Sequence, residues 1–387
     1  MLAPMLWASL ALAAIPQGGR GAAEFVELHD ATEPRLRAEG VFAVRVASER
    51  YDVLTRAGAV AALEIDGKGR VVPREPSPSL SPALRPGETW VVSPRWTRAG
   101  IASVDGSGAN RITKVTIAGE VLVSVPGVYA VRLVEGRDRV LFARVGRSPD
   151  EPRRFQLVDA GRQQPLLDFT VEHAGAARVS ADGDTVVVAG AGALEVHRAG
   201  RDTLELPPCR SFHVLADGER VVCSDSDGVF LMSLAGPGSA ARVDLSTAGP
   251  LIAAADVGGR LLLEFPDAAE LYELAAAGQV QRRWRHDAPR GARFVSCNLR
   301  ATARGLLAAL GARRKVWPQL EPVGPSAPAR AEGSVLVLDG QGTAVLDQVD
   351  FPTACWEGDQ PRVLWTAQGR LLVVTRDRVL ASRTVFP

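Results

Sequence analysis

The chain has 387 residues, 46% of them hydrophobic and 23% charged, and a formal net charge of +1. That composition suits a globular protein with a sizeable core. The near-zero charge excludes a global field that would draw nucleic acid or an anionic membrane surface.

Leu2 to Ile15 is an apolar run followed by small and polar residues, and Ala11-Leu12-Ala13 offers a small-residue cleavage site. The run is too short to span a bilayer. The pattern predicts a secretory signal peptide over residues 1–23, although its first residues carry no Lys or Arg. A buried N-terminal strand or helix is the competing reading. No later segment approaches 18 uncharged apolar residues, so no transmembrane segment is expected, and the expected location is periplasmic or secreted and soluble.

From Glu24 to Pro94 short apolar–polar alternations predict strands at 25–28, 41–46, 51–55, 59–65 and 70–72, with a turn at Asp66-Gly67. Prolines at 73, 76, 78, 82 and 86 exclude a central strand there. Thr89–Val92 reads as one more strand. Leu63 to Gly69 and Gly87-Glu88-Thr89-Trp90 resemble the strand pair and Gly-x-Thr-aromatic strand of bacterial pre-peptidase domains. That resemblance implies a small β-sandwich over residues 24–94. The alternative makes 41–72 an extra blade of the domain that follows.

Residues 95–387 repeat one unit. ARVSADGDTVVVAGAGALEVHR (177–198) and FHVLADGERVVCSDSDGVFLMSL (212–234) each give strand, Ala-Asp-Gly turn, strand, turn, strand. Asp-Gly between apolar runs predicts a hairpin with a primed turn, because both residues tolerate positive φ. First turns fall at 100, 136, 183, 218, 259, 305 and 369. Such spacing fits four-stranded propeller blades, with one long gap left by a loop at 311–333. The expectation is an all-β, seven-bladed propeller, with eight possible. The last unit holds only three strands, so the ring needs a closing strand from the N-terminal side, expected near 89–93.

Ile101 to Gly106 with Asn110 to Thr113, and Ser180-Ala181-Asp182-Gly183, resemble repeat units of secreted or periplasmic TolB-like and WD-type propellers. The Pro of their Ser-Pro-Asp-Gly turn, the Trp-Asp dipeptides and the Gly-His signatures are missing. The resemblance implies a fold and transfers no function.

Catalytic signatures are absent: there is no GxSxG, HExxH, GxxxxGK[ST] or complete GxGxxG. Asp225-x-Asp227-Gly228 could open a calcium loop, but no later carboxylate completes it, so it reads as a turn. Cys209 and Cys223 flank one hairpin and Cys297 and Cys355 begin consecutive repeats; the preferred pairing is 209–223 with 297–355, and four free thiols are the alternative. Two basic clusters could contact a partner: Arg283, Trp284 and Arg285 near Arg282, and Arg313, Arg314 and Lys315 with Trp317 in the long loop. Alternation in QVQRRWRH favours a plain solvated outer strand for the first. His173 and His213 start successive innermost strands and, with Asp256, could form a partial metal site.

The resulting expectation is an exported, non-enzymatic propeller that serves as a protein-binding or assembly scaffold at the bacterial cell envelope. It has no cofactor, its partner is another envelope or secreted protein, and it does not bind nucleic acid. The alternative is a propeller hydrolase or lyase using His173, His213 and Asp256 in the channel with one divalent metal ion.

Overall fold

The computed structural model describes residues 25–30 and 41–386, except 48, 57, 76–83, 95–96, 136, 145–147, 149–150, 235–241, 247–248, 276–278, 304, 317–329, 355–360 and 376–377. Its strands form eight sheets of four antiparallel strands each. Seven are simple meanders in chain order. We number them blades 1 to 7: Val41–Arg74, Thr89–Pro126, Tyr129–Val171, Ala177–Leu206, Ser211–Ser246, Ala253–Asp287 and Ala292–Ala354. Blade 8 takes three strands from Arg362–Trp365, Leu371–Val374 and Arg378–Ser382, and its fourth is Phe25–Asp30.

The ring is therefore an eight-bladed propeller. Seven was the preferred count and eight the alternative. The described residues between 25 and 94 do not form two packed sheets of their own. They supply the closing strand, all of blade 1, and Thr89–Val92, the first strand of blade 2. The closing strand expected at 89–93 is thus Phe25–Asp30 instead, with Glu27 opposite Leu380 and Val26 opposite Ala381. Pairing the two ends of the chain removes the free edge that a last three-stranded blade would leave. The expected signal peptide lies outside the described residues.

Within each blade we number strands outwards from the centre. First strands of neighbouring blades pack side by side, as Thr89–Val92 does with Tyr129–Leu133 and Ala253–Val257 with Ala292–Thr302. Antiparallel order puts the turns between first and second and between third and fourth strands on one face, here the lower. Turns between second and third strands, and the connections between blades, lie on the upper face.

The core lies between blades. Val222 and Leu231 of blade 5 pack with Leu261, Leu263 and Tyr272 of blade 6, and Leu271 and Trp284 of blade 6 pack with Phe294, Leu310 and Leu338 of blade 7. Blade 8 meets blade 1 through Leu28, Leu372 and Val379 against Val44, Val53 and Leu54. A middle strand sandwiched this way is apolar on both faces, which is why Leu261-Leu262-Leu263 and Leu371 to Val374 are continuous runs rather than alternations.

The Asp-Gly turns take a different form from the expected primed pair. Gly183 N–H donates to Ser180 O at 2.9 Å and Gly218 N–H to Leu215 O at 2.9 Å. Only the glycines have positive φ, 74° and 67°. These are type I turns followed by a left-handed glycine. Asp182 and Asp217 act by capping, each accepting the N–H two residues on, at 3.0 Å from Asp184 and 2.9 Å from Glu219.

Candidate functional site

Blade 7 departs from its neighbours. Its second and third strands, Gly305–Val316 and Arg330–Asp339, have 12 and 10 residues, whereas the other blades use 4 to 7. The first and fourth, Ala292–Thr302 and Ala344–Ala354, have 11 each. The added length lies at Ala292, Val316, Arg330 and Ala354, so all of it rises from the upper face as a tongue. Ladder register continues through it, with Arg314 opposite Glu332 and Lys315 opposite Ala331.

The two ends of the expected 311–333 loop, 311–316 and 330–333, are therefore strand, and 317–329 lie outside the described residues. Arg313 pairs with Arg293 across the ladder and Arg314 with Ala292. Strand alternation puts Arg313 and Arg314 on opposite faces of the tongue, so the basic triplet is not one patch. Trp317 lies outside the described residues.

The other basic cluster sits on Val280–Asp287, the outermost strand of blade 6, as its alternation suggested. The ladder slips between Leu271, opposite Trp284, and Tyr272, opposite Arg282. Arg283 is the extra residue of this bulge, and it pairs with Glu273. The bulge breaks the period of two, so Arg282 and Arg285 reach the same carboxylate while Trp284 turns the other way. Trp284 is only 9% exposed and packs into the interface with blade 7, beside Gly342. It is a core residue, where the sequence pattern suggested exposure.

Arg282 and Arg285 face blade 5 across a cleft of about 400 Å³ near the upper rim. Its charged lining is Asp227, Arg242, Asp244, Glu270, Arg282 and Arg285. Glu270 is fully buried and well satisfied. It accepts the Tyr272 O–H at 2.5 Å and Nη1 of Arg285 and Arg282 at 3.1 and 3.3 Å. Burial first, then the Glu270 contact, pushes the Tyr272 phenol up, so it stays a donor at neutral pH. Opposite, Arg242 lies 3.9 Å over the Phe230 ring and bonds Asp244 at 2.7 Å and Asp225 at 3.3 Å. Asp225 also caps the turn, accepting Asp227 N–H at 2.7 Å and Gly228 N–H at 3.1 Å. These bonds account for the Asp225-x-Asp227-Gly228 segment as a turn.

In the channel, Asp256 of blade 6 bonds His213 of blade 5, Oδ1 to Nε2 at 3.2 Å, and its other oxygen accepts the Ala216 N–H at 2.8 Å. His173 does not join them. It sits in the connection from blade 3 to blade 4 with φ of 48°, on the upper face, whereas His213 runs towards the lower turn at 215–220. Among the described residues no group of three His, Cys, Asp or Glu side chains could hold a metal ion.

Cys209 and Cys223 form the expected disulfide, with Cα atoms 5.6 Å apart. It ties the connection from blade 4 to the buried second strand of blade 5. Cys297 is free, and Cys355 lies outside the described residues. Burial pushes the Cys297 thiol well up, with the nearby Glu264 a second cause, which favours the protonated thiol.

Sequence reading missed Arg242, Glu270 and Tyr272, because they come together at one cleft only where blades 5 and 6 meet, joined by the bond from Tyr272 to Leu245 O. Glu264 was missed as well. It is fully buried on blade 6, and neither carboxyl oxygen makes a well-formed hydrogen bond, the Ser296 amide alone lying near enough to act on the group.

No protein-family model and no curated protein matches the sequence. Two solved structures are similar at low identity. The chain is 12% identical to the hydrazine synthase of Kuenenia stuttgartiensis, with a TM-score of 0.43 over 64% of this chain and 74% of that one. It is 14% identical to the computationally designed Ika8 protein, with a TM-score of 0.40 over 92% and 99%. At these scores neither likeness bears on function, and the propeller assignment rests on the sheet order itself.

Proposed function

We propose that this protein is an exported, non-enzymatic β-propeller that binds a partner protein of the cell envelope through its upper face. The observation that carries this reading is the blade 7 tongue. A propeller blade needs only 4 to 7 residues per middle strand to span the ring, so strands of 12 and 10 are additional to the fold. Long structured departures from a repeat concentrate binding function. Arg293 and Arg313, opposite each other in the ladder of this tongue, suit an acidic patch on the partner.

Export is supported by the apolar run Leu2 to Ile15 and by the Cys209–Cys223 disulfide, a bond that persists in oxidising compartments. On this reading the mature chain begins after residue 23, and the TolB-like character of the Ser180 to Gly183 turn agrees with a periplasmic or secreted protein.

The test trims the tongue where the ladder permits. Residues 313–333 are replaced by Asn-Gly between Ala312 and Ser334, which stand opposite each other. Affinity capture from an envelope extract should recover a partner with the full chain and lose it with the trimmed one, at unchanged melting temperature. Recovery of the same proteins by both would refute the reading.

A second reading, a channel hydrolase or lyase, draws on the Asp256–His213 pair, since a carboxylate anchored by a backbone N–H is a usual way to orient an imidazole base. It requires activity that His213→Ala abolishes without loss of fold.

A further inference from the structure

The cleft between blades 5 and 6 has two poles of opposite charge. On the blade 6 side two guanidiniums, Arg282 and Arg285, share one buried carboxylate, Glu270. Each uses Nη1 for that bond, and neither Nη2 has a protein partner among the described residues. Arg285 spends its Nε on Asp287, which is 79% exposed and outside the cleft lining. On the blade 5 side the ratio is reversed. One guanidinium, Arg242, is divided between Asp225 and Asp244, and Asp227 adds a carboxylate whose only side-chain partner among the described residues is the Ser226 hydroxyl, at 3.3 Å. An excess of cation thus faces an excess of anion across about 400 Å³, within the usual ~300–1,000 Å³ of small-molecule sites.

The cationic pole is held in place. Glu270 is fixed by Tyr272, whose single hydroxyl proton is shared between Glu270 and Leu245 O, 2.9 Å away, so a residue of blade 6 is tied to the last strand of blade 5. The bulge at Arg283 brings Arg282 and Arg285 to one side. Paired guanidiniums in a fixed geometry match a carboxylate. A simple anion would gain this pole and be repelled by the three aspartates, and a simple cation would meet the converse.

We infer that this cleft binds a small zwitterion of the amino-acid or short-peptide class, its carboxylate on Arg282 and Arg285 and its ammonium group at Asp227 and Asp244. The site is separate from the blade 7 tongue and goes beyond the scaffold reading.

The test is isothermal titration of the full chain with glycylglycine, sodium acetate and ethylammonium chloride at matched ionic strength. Glycylglycine should bind, and the two half-ligands should bind at least about tenfold more weakly, as expected when one set of charge-assisted hydrogen bonds is missing. Arg282→Gln and Asp227→Asn, both near the surface and at opposite poles, should each weaken glycylglycine about tenfold while keeping the melting temperature. Acetate or ethylammonium binding as tightly as glycylglycine would overturn the proposal. So would the absence of any binding, or glycylglycine binding that neither substitution weakens.

Discussion

Two buried titratable side chains set how the fold responds to pH. His197 is buried on blade 4, its ring stacked on Phe169 at 3.6 Å, with Glu195 at 3.2 Å from Nε2 and Thr203 at 3.3 Å from Nδ1. Burial pushes its pKa down to about 4. The folded state therefore stays neutral while the unfolded chain takes up a proton near pH ~6.5. Stability from this residue is complete above ~6.5 and is lost as pH falls towards about 4. Over that window the wild type should lose roughly 2–4 kcal/mol more than His197→Phe, read from denaturant unfolding at each pH. Equal slopes for the two would contradict this. Glu264 behaves in the opposite sense. Burial raises its pKa well above the ordinary value, opposed in part by the Ser296 amide, so it is folded as the neutral acid. A raised pKa gives stability that is present below the unfolded value and lost as pH rises through the folded one. The melting temperature of the wild type should fall relative to Glu264→Gln as pH rises above the ordinary carboxylate value of ~4.3.

At the scale of turns and strands, arginines fasten one blade to the next along the lower face. Arg98 reaches the first turn of blade 3 through Val134 O and Asp138, and Arg139 reaches that of blade 4 through Asp182 O. Arg198 donates to Gly218 O at 2.8 Å and Leu234 O at 2.6 Å of blade 5. Arg300 grips Thr366 O at 2.6 Å and Ala367 O at 3.1 Å of blade 8, and Arg370 bonds Glu49 of blade 1 at 2.7 Å. Arg98, Arg139, Arg198 and Arg300 satisfy turn carbonyls that the short blades leave without a ladder partner, and Arg370 meets a carboxylate. Arg198→Ala and Arg300→Ala should each cost about 1.5–3 kcal/mol in denaturant unfolding, against less than about 0.5 for the exposed Arg162→Ala. Equal small effects at all three would show that the fastening is decorative. The same scale explains what the sequence disclosed and what it hid. Turns at 183, 218, 259, 305 and 369 were legible because glycine stands where a left-handed residue is needed or beside it. The turn expected at 100 lies instead between Ser93 and Arg98, since Ala99-Gly100 continues into strand, and the bonds from Ser93 N–H to Arg98 O, at 3.0 Å, and from Arg98 N–H to Ser93 Oγ, at 3.1 Å, mark the reversal. Trp284 was misread as exposed because a bulge leaves no mark in QVQRRWRH. Gly311 to Lys315 was read as loop because a strand that leaves the ring loses the two-sided apolar run that identifies its neighbours.

For the whole molecule the decisive feature is closure. Phe25 to Asp30 resembles many short strands, and nothing local says that its partner is Arg378–Ser382 at the other end of the chain. Nor does a local pattern separate a blade from one sheet of a sandwich, so residues 41–72 supported both readings. Closure makes the termini part of the core: Leu28 packs with Val379 and Leu54 where blades 8 and 1 meet. Removal of residues 1–23 should leave the melting temperature unchanged, whereas removal of 1–30 should lower it markedly and expose the edge of blade 8 to self-association, seen by light scattering. The most direct test of the eight-bladed closed ring is a cross-link at its seam. Cysteines placed at Glu27 and Leu380, which stand opposite each other, should form an intramolecular disulfide under mild oxidation, found by peptide mass mapping in the monomer. Failure of that bond to form, or its appearance only between chains, would contradict the architecture on which the tongue and the cleft are placed.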